Sequence, residues 1–177
     1  TEPTWHPNGD RILFTSDRGG TPQIYELELD SRKIRRITYA GNYNARPSLA
    51  PDGRTLVMVH RANDVFHIAT LDLKTNRMLE LTETRLDESP TVAPNGAMLI
   101  YATKQGDRDI LAAVSIDAGV KYFLPLESGD VREPAWSPYL RYTRAKSFQK
   151  FKGEKHELFF KTTIRITNNY LFCNSGM

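Results

Sequence analysis

The chain has 177 residues, which is long enough for one domain with a sizeable core, and its hydrophobic and charged contents of 40% and 25% are those of a globular protein. No run of residues approaches the roughly 18 apolar side chains of a membrane-spanning helix, and a single cysteine, Cys173, excludes an internal disulfide and a zinc site made of thiolates. The net charge of +3 is uneven, because residues 141–177 hold eight basic and two acidic side chains. The basic balance therefore belongs to that segment and does not indicate a nucleic-acid-binding protein.

A motif at the start of the chain returns three times. Its four copies are EPTWHPNG at 2–9, RPSLAPDG at 46–53, SPTVAPNG at 89–96 and EPAWSP at 133–138. The first prolines of the copies are 44, 43 and 44 residues apart, at Pro3, Pro47, Pro90 and Pro134. A repeat of this length is typical of the blades of a β-propeller.

Each full copy predicts four short strands. In the first copy they are PTWH, RILFTSD, QIYELEL and IRRIT, in chain order, and a Pro-Asn-Gly turn joins the first two. Proline presets φ and glycine supplies a positive φ, so each PNG or PDG favours a tight reversal of the chain. QIYELEL alternates with period two, as a half-buried strand requires.

The predicted fold class is therefore all-β, a β-propeller fragment with three four-stranded blades and one orphan strand. The blades are predicted at about 3–43, 47–87 and 90–131, and the orphan strand at 134–137. One blade cannot bury both of its faces, so the blades must stack around an axis.

The sequence offers no catalytic or metal-binding pattern. It contains no G-x-S-x-G nucleophile elbow, and DRGG and GDRD lack the calcium-binding pattern of an EF-hand loop. The four histidines, none of which has metal-ligand spacing, are His6, His60, His67 and His156. We expect them to be structural, with His6 exposed beside the first turn.

The residues just before each first proline connect the outermost strand of one blade to the innermost strand of the next. We expect all these loops at one end of the propeller, around the mouth of its channel. Their charged, aromatic and amide side chains suit a protein-binding rim. The alternative is that these loops are polar only because water surrounds them.

Residues 141–177 form a basic, aromatic-rich segment that lacks the repeat. Readthrough, a frameshift and a fusion are open explanations of its origin, and we expect disorder or an opportunistic strand, since ELFFKTTIRIT has a strand-forming composition. Basic residues interleaved with Phe and Tyr could also contact single-stranded nucleic acid. We consider this alternative the weaker one and predict no nucleic-acid partner.

The ordered set of motifs resembles the TolB family of six-bladed propellers, which belongs to the bacterial Tol–Pal system. The resemblance is carried by EPTWHPNGDRILFTSDRGGTPQIY, RITYAGNYNARPSLAPDG, TRLDESPTVAPNGAMLIYAT and REPAWSPYL, in this order. It covers residues 1–140 and corresponds to the C-terminal half of the family's propeller, with 141–177 as an unrelated-looking tail.

The resemblance implies a non-enzymatic periplasmic scaffold without a membrane span. Such a protein binds the peptidoglycan-associated lipoprotein Pal through its mouth loops, works with other Tol proteins, and supports outer-membrane integrity, cell division and the import of colicins and other proteins. Colicin translocation peptides use the same mouth. The partner-binding residues that the resemblance implies are Thr1, Asn44, Arg46, Asp87, Glu88, Arg132 and Glu133.

Three further expectations follow from the resemblance. No cofactor is expected, although the channel of the complete ring can hold calcium in this family. A half-ring leaves open edges, so two copies could associate to complete six blades. The alternative function is the propeller domain of a prolyl-oligopeptidase-like peptidase that lacks its catalytic domain.

Overall fold

The computed structural model describes residues 1–84, 86–124, 129 and 131–137, together with the backbone of two strands between 163 and 174. Blade 1 consists of β1 (Thr4–Trp5), β2 (Arg11–Ser16), β3 (Gln23–Glu28) and β4 (Ile34–Arg36). Blade 2 consists of β5 (Asn44–Leu49), β6 (Thr55–Ala62), β7 (Val65–Asp72) and β8 (Met78–Glu80). Blade 3 consists of β9 (Glu88–Val92), β10 (Met98–Gln105), β11 (Arg108–Ser115) and β12 (Lys121–Leu124).

Each blade is an antiparallel sheet whose four strands lie side by side in chain order. The innermost strands β1, β5 and β9 are neighbours, so the three blades share one axis. The predicted all-β propeller fragment is confirmed. The described residues contain no helix that could cross a membrane.

The predicted orphan strand is present as β13 (Ala135–Trp136), which follows β9 around the axis. It is paired, because β13 runs parallel to β15 (Tyr170–Asn174), and β15 is antiparallel to β14 (Thr163–Thr167). The indole Nε1 of Trp136 donates a hydrogen bond to the carbonyl of Thr91 at 2.9 Å, which ties β13 to blade 3. The boundary predicted at residue 140 and most of the predicted tail lie outside the described residues.

The Pro-Asn-Gly and Pro-Asp-Gly turns have the conformation that their residues favour. Gly9, Gly53 and Gly96 have φ of 74°, 63° and 73°, which a residue with a Cβ rarely adopts. At Gly53 there is also no room, since an added Cβ would lie 3.0 Å from the ring of His6.

The expectation that His6 is exposed is wrong. The turn of blade 2 covers this side chain, which is 4% exposed, and Nε2 lies 3.2 Å from the carbonyl oxygen of Gly53. The backbone N–H of Asn8 donates to Nδ1 at 3.2 Å, so the proton of the ring is on Nε2 and is donated to Gly53. His6 thus joins the first turns of two neighbouring blades.

Two hydrophobic clusters between the blades form the core. In the first, Leu13 and Ile24 of blade 1 pack against Leu56, Met58 and Leu71 of blade 2. The second is built in the same way from blades 2 and 3, and its buried members are Val57, Val59, Ile68, Leu81, Leu99, Tyr101, Ala112 and Val114. Since full burial of one such side chain stabilises by about 1.5–3 kcal/mol, these interfaces are the main source of stability.

We expect Leu99→Ala to lower the free energy of unfolding by about 3 kcal/mol, because it leaves a cavity between blades 2 and 3. Leu79→Ala is the matched control. Leu79 is 48% exposed, so its truncation should cost less than about 1 kcal/mol. Urea denaturation measures both changes, and equal losses would show that the interface is not the core.

Candidate functional site

The residue before each first proline has the same unusual backbone conformation. Glu2, Arg46, Ser89 and Glu133 have φ of 54°, 54°, 54° and 52°, in the left-handed region that costs non-glycine residues energy. In β5 and β9 this residue coincides with a shift of strand register. Such bulges turn a side chain out of the normal alternation of the strand. The repeat thereby directs four side chains, which lie in or just before the four innermost strands, to one place.

Arg46 is the centre of this group. Its Nε lies 3.2 Å from Oε1 of Glu2, and its Nη1 donates to Oγ of Ser89 at 2.7 Å and lies 3.9 Å from Oε1 of Glu133. Its backbone N–H donates to Oε2 of Glu2 at 3.1 Å and to the hydroxyl oxygen of Thr15 at 3.1 Å. These contacts connect the residues before the first proline in all four copies of the repeat, at the mouth of the channel.

A buried polar network lies where the chain crosses from blade 1 to blade 2. Asn44, which is 0% exposed, donates from Nδ2 to Oε1 of Gln23 at 2.9 Å and to the carbonyl of Ala40 at 2.8 Å. Its Oδ1 lies 2.8 Å from Nδ1 of His60, which must therefore carry the ring proton. Burial lowers the pKa of His60, which favours the neutral ring that donates this hydrogen bond.

Asp87 has the same repeat position at the crossing from blade 2 to blade 3, and it is also 0% exposed. Its carboxylate accepts hydrogen bonds from the hydroxyls of Thr84 at 2.7 Å and Thr103 at 2.6 Å, and from the hydroxyl of Thr82. Burial raises the pKa of the neighbouring Tyr101, and the negative charge of Asp87 raises it further. Asp87 is therefore a fully bonded link between blades.

A third polar group connects blade 3 to the segment that leads to β13. Asp109 accepts a hydrogen bond from Nζ of Lys104 at 2.8 Å and two from Arg132, at 3.0 Å from Nε and 2.8 Å from Nη2. These hydrogen bonds, first from Lys104 and then from Arg132, hold the pKa of Asp109 below its ordinary value of 3.8. The repeat pattern does not mark Lys104 and Asp109, which sequence reasoning missed.

A cavity of about 350 Å³ opens at the mouth between blades 2 and 3. Its lining includes Tyr43 and Phe66, whose rings meet edge to face at 5.2 Å. Burial raises the pKa of the Tyr43 phenol, and the negative charge of Glu2 adds to this. The cavity is also lined by Glu2, Arg46, Leu86, Glu88, Lys104, Asp109 and Arg132, and the buried Asp87 adjoins it. We call this the rim cavity.

The structure divides the seven residues predicted to bind a partner. Arg46, Glu88 and Arg132 line the rim cavity, Glu133 reaches it through Arg46, and the buried Asp87 adjoins it. Thr1 lies on the other side of Glu2, where its ammonium group donates to the carbonyl of Thr15 at 2.9 Å. Asn44 and Asp87 have no accessible surface, so the structure gives them the role of joining blades.

Glu88 differs from the other acidic side chains of the rim cavity in lacking a polar partner within the described residues. It is half-buried, and it makes no hydrogen bond or ion pair to any other residue that the structure describes. Leu86, beside it, is 51% exposed. Within the same described residues, no group of three or more His, Cys, Asp or Glu side chains could hold a metal ion. Calcium binding by a complete ring stays a prediction.

Three meandering four-stranded sheets around one axis, with charged side chains gathered at one end, define a β-propeller with a polar rim. The chain belongs to the family described as the TolB beta propeller domain, whose model matches residues 1–140.

Relatives with known names agree with this assignment. The Tol-Pal system protein TolB of Pseudomonas aeruginosa is 57% identical over 104 residues, which cover 58% of this chain and 24% of the relative. The protein of the same name from Ruthia magnifica is 43% identical over 183 aligned positions, covering 78% of this chain and 43% of the relative. The chain thus spans less than half the length of these relatives.

Solved structures show the same fold. The crystal structure of TolB from Acinetobacter baumannii superposes with a TM-score of 0.71 at 42% identity, covering 74% of this chain and 33% of that one. The tricorn protease and the isopeptidase AtxE2 give TM-scores of 0.54 and 0.56 at 13% and 9% identity. At this identity the likeness concerns the fold alone, and it lends no support to the alternative of a peptidase propeller.

We expect Asp87→Ala to lower the free energy of unfolding by about 2 kcal/mol, because it leaves buried threonine hydroxyls without an acceptor. Asp87→Asn should cost less, since Asn44 fills the equivalent position of the preceding crossing. Thermal or urea unfolding of the two variants measures the loss of unfolding free energy in each. If the Asn variant is as unstable as the Ala variant, hydrogen bonding is not the reason for the effect.

Acid should weaken the contact of Asp109 with Lys104 and Arg132. Its pKa is lower in the folded chain than in the unfolded chain, so the carboxylate stabilises the fold above the unfolded value of 3.8 and loses this contribution as the pH falls through the folded value. Asp109→Asn should therefore be less stable than the parent at pH 7, and this difference should shrink in strong acid. Urea midpoints across this pH range measure it, and a constant difference would contradict the linkage.

Proposed function

We propose that this chain acts as a non-enzymatic part of the Tol–Pal system in the periplasm and that it binds Pal through the rim cavity. Membership of the TolB propeller family supports the system, and the names of the relatives point the same way. The observation that carries the binding site is the rim cavity itself, a concave surface lined by aromatic and charged side chains.

The chemistry of the rim cavity suits a protein loop as a ligand. Tyr43 and Phe66 offer aromatic surface, the kind that anchors the centre of protein interfaces. Glu88 provides a carboxylate without an ion-pair partner among the described residues. A basic side chain of the ligand would form an ion pair with it. Arg46 and Arg132 are held in place by acids of this chain, so their positive charges stay at the edge of the rim cavity.

The proposal retains five of the seven predicted partner-binding residues. Glu88, Arg46 and Arg132 lie in the rim cavity and contact the ligand directly, and Glu133 acts beside Arg46. Thr1 lies at the margin next to Glu2. Asn44 and Asp87 support the rim from beneath through their buried hydrogen bonds.

In this role the protein helps maintain outer-membrane integrity during growth and division, together with other Tol proteins. Colicin translocation peptides are a second class of ligand for the same mouth. Both roles depend on a rim that stays in place when a ligand binds. The ties between blades at Asn44, Asp87 and Asp109 provide this rigidity.

The test is the affinity of the chain for a soluble form of Pal. Glu88→Lys should weaken binding about tenfold and slow association, because it reverses the charge of the carboxylate that meets a basic group of Pal. Biolayer interferometry at two salt concentrations measures the rates, and the effect should be smaller at high salt.

Asp30→Lys is the matched control for Glu88→Lys. It makes the same charge change in an exposed turn after β3, at the end of blade 1 opposite the crossing to blade 2. Its Pal affinity should equal that of the parent. Equal binding by the parent, Glu88→Lys and Asp30→Lys would show that Pal does not use the rim cavity, and no binding by the folded parent would overturn the proposed function.

A further inference from the structure

The rim cavity lies inside the series of blades, where both of its main walls are sheets of this chain. These walls come from blades 2 and 3, which lie between blade 1 and the segment that contains β13. The wall from blade 2 is apolar, because Tyr43 and Phe66 pack against the buried cluster between the two blades, to which Val59 belongs. The two rings also meet edge to face at 5.2 Å, so each holds the other in place.

The repeat shows that this aromatic wall is specific to one crossing between blades. Val59 and Phe66 have the repeat positions that Thr15 and Pro22 have in blade 1. Thr15 and Pro22 line a neighbouring pocket of about 290 Å³, together with the carboxylate of Asp17. The apolar wall of the rim cavity is therefore not a general consequence of the fold, since the same positions are polar or lack a ring at the preceding crossing.

The ionisable side chains in and beside the rim cavity carry one surplus negative charge. They are four acids, Glu2, Asp87, Glu88 and Asp109, and three bases, Arg46, Lys104 and Arg132. Each base forms an ion pair with an acid of this group, and Asp87 accepts hydrogen bonds from threonine hydroxyls. The surplus carboxylate is Glu88, which makes no hydrogen bond or ion pair to another described residue. A cationic group of the ligand would balance this charge.

The surplus charge lies close to the aromatic wall. Burial raises the pKa of the Tyr43 phenol, and the charges of Glu2 and Glu88 raise it further. Leu86, which also lines the cavity, is 51% exposed. Apolar side chains and a carboxylate thus surround one volume of about 350 Å³. Sites for small molecules have about 300–1,000 Å³, so the rim cavity admits one long side chain and not a folded element.

A guanidinium group matches these neighbours better than an ammonium group does. It is planar and weakly hydrated, so it stacks on aromatic rings, and it donates two parallel hydrogen bonds to one carboxylate. An ammonium group is compact and strongly hydrated, so it loses more hydration in an apolar cavity. The protein already forms one pair of the first kind. Arg61, which is ion-paired with Asp64 and stands outside the rim cavity, lies 5.7 Å from the centroid of the Phe66 ring.

We propose that the rim cavity receives one arginine side chain of the ligand and selects it over lysine. This rests on the proposed function, and it names the side chain by which the ligand is recognised. The aliphatic part of the arginine contacts Leu86 and Tyr43. Its guanidinium stacks on the ring of Phe66 and forms an ion pair with Glu88. A lysine in the same place cannot stack in this way or bind both carboxylate oxygens at once.

Titration of the 177-residue chain with N-acetylarginine amide tests the rim cavity without Pal. Two-dimensional nuclear magnetic resonance should show shifts of the backbone amide signals of Phe66, Leu86 and Glu88. N-acetyllysine amide should bind about fivefold more weakly, because it gains less from the rings. N-acetylcitrulline amide, which has nearly the same shape without the charge, should leave these signals unchanged.

Two variants identify the groups that hold the arginine. Glu88→Gln should weaken the binding of N-acetylarginine amide about tenfold, because it removes the charge of the acceptor. Phe66→Leu should weaken it about fivefold, since it keeps an apolar side chain but removes the ring. The matched controls are Glu80→Gln, on the exposed end of β8, and Phe123→Leu, at a residue of β12 that is 45% exposed. Both should bind like the parent, and the dispersion of the amide signals shows that each variant is folded.

Soluble Pal tests whether the ligand itself presents the arginine. Each arginine of Pal is changed to lysine in turn, and one of these changes should weaken binding to the parent chain about fivefold. The same change should weaken binding to Glu88→Gln much less, because the acceptor is already lost there. A double-mutant cycle measured by biolayer interferometry gives this coupling.

The outcomes separate this inference from the proposed function. If Pal binds and none of its arginines couples to Glu88, the arginine assignment is overturned and the proposed function stands. Equal binding of the arginine, lysine and citrulline amides would overturn it as well, as would unchanged binding of N-acetylarginine amide to Glu88→Gln. A folded parent that does not bind Pal would overturn the proposed function, while the titration with N-acetylarginine amide would still decide what the rim cavity accepts.

Discussion

The packing of one sheet face against the next sheet is the constraint on which the rest of this structure depends. A four-stranded meander has two faces and no interior, so it becomes stable only when neighbouring sheets cover it. Leu56 and Leu99, nine residues after their first prolines, are fully buried against the preceding blade. Ile12 has the same repeat position in blade 1, but its face belongs to no cluster. Side chains with this pattern thus form a core where a preceding sheet lies against them.

The stacking of the blades also creates the candidate site. A left-handed residue stands before the first proline in each copy of the repeat, and stacking brings these residues together at the channel. Arg46 then satisfies groups from Glu2, Ser89 and Glu133, which are far apart in sequence. The cost of the left-handed backbone is offset by these hydrogen bonds and ion pairs. The site is therefore a property of several blades together.

The sequence predicted best those features that depend on interactions within a single repeat. Turn residues and period-two alternation lie within one copy, so the strands and their order could be predicted. The burial of side chains could not be predicted in this way, because it depends on which side chains of the neighbouring copy lie opposite. His6 was expected to be exposed, but the turn at Gly53 covers it. Asn44 and Asp87 were predicted as partner-binding loop residues, yet both are buried. Side chains of adjacent strands and crossings form their hydrogen bonds.

The sequence by itself determined the blade: its length, its four strands, its turns and the kinship with the TolB propellers. Local backbone preferences and alternation decide these features, and they act over a few residues. Only the tertiary structure decided which polar residues face water and how Lys104, Asp109 and Arg132 come together. These features depend on contacts between residues from different copies, and the distances between copies are set by the packing of whole sheets.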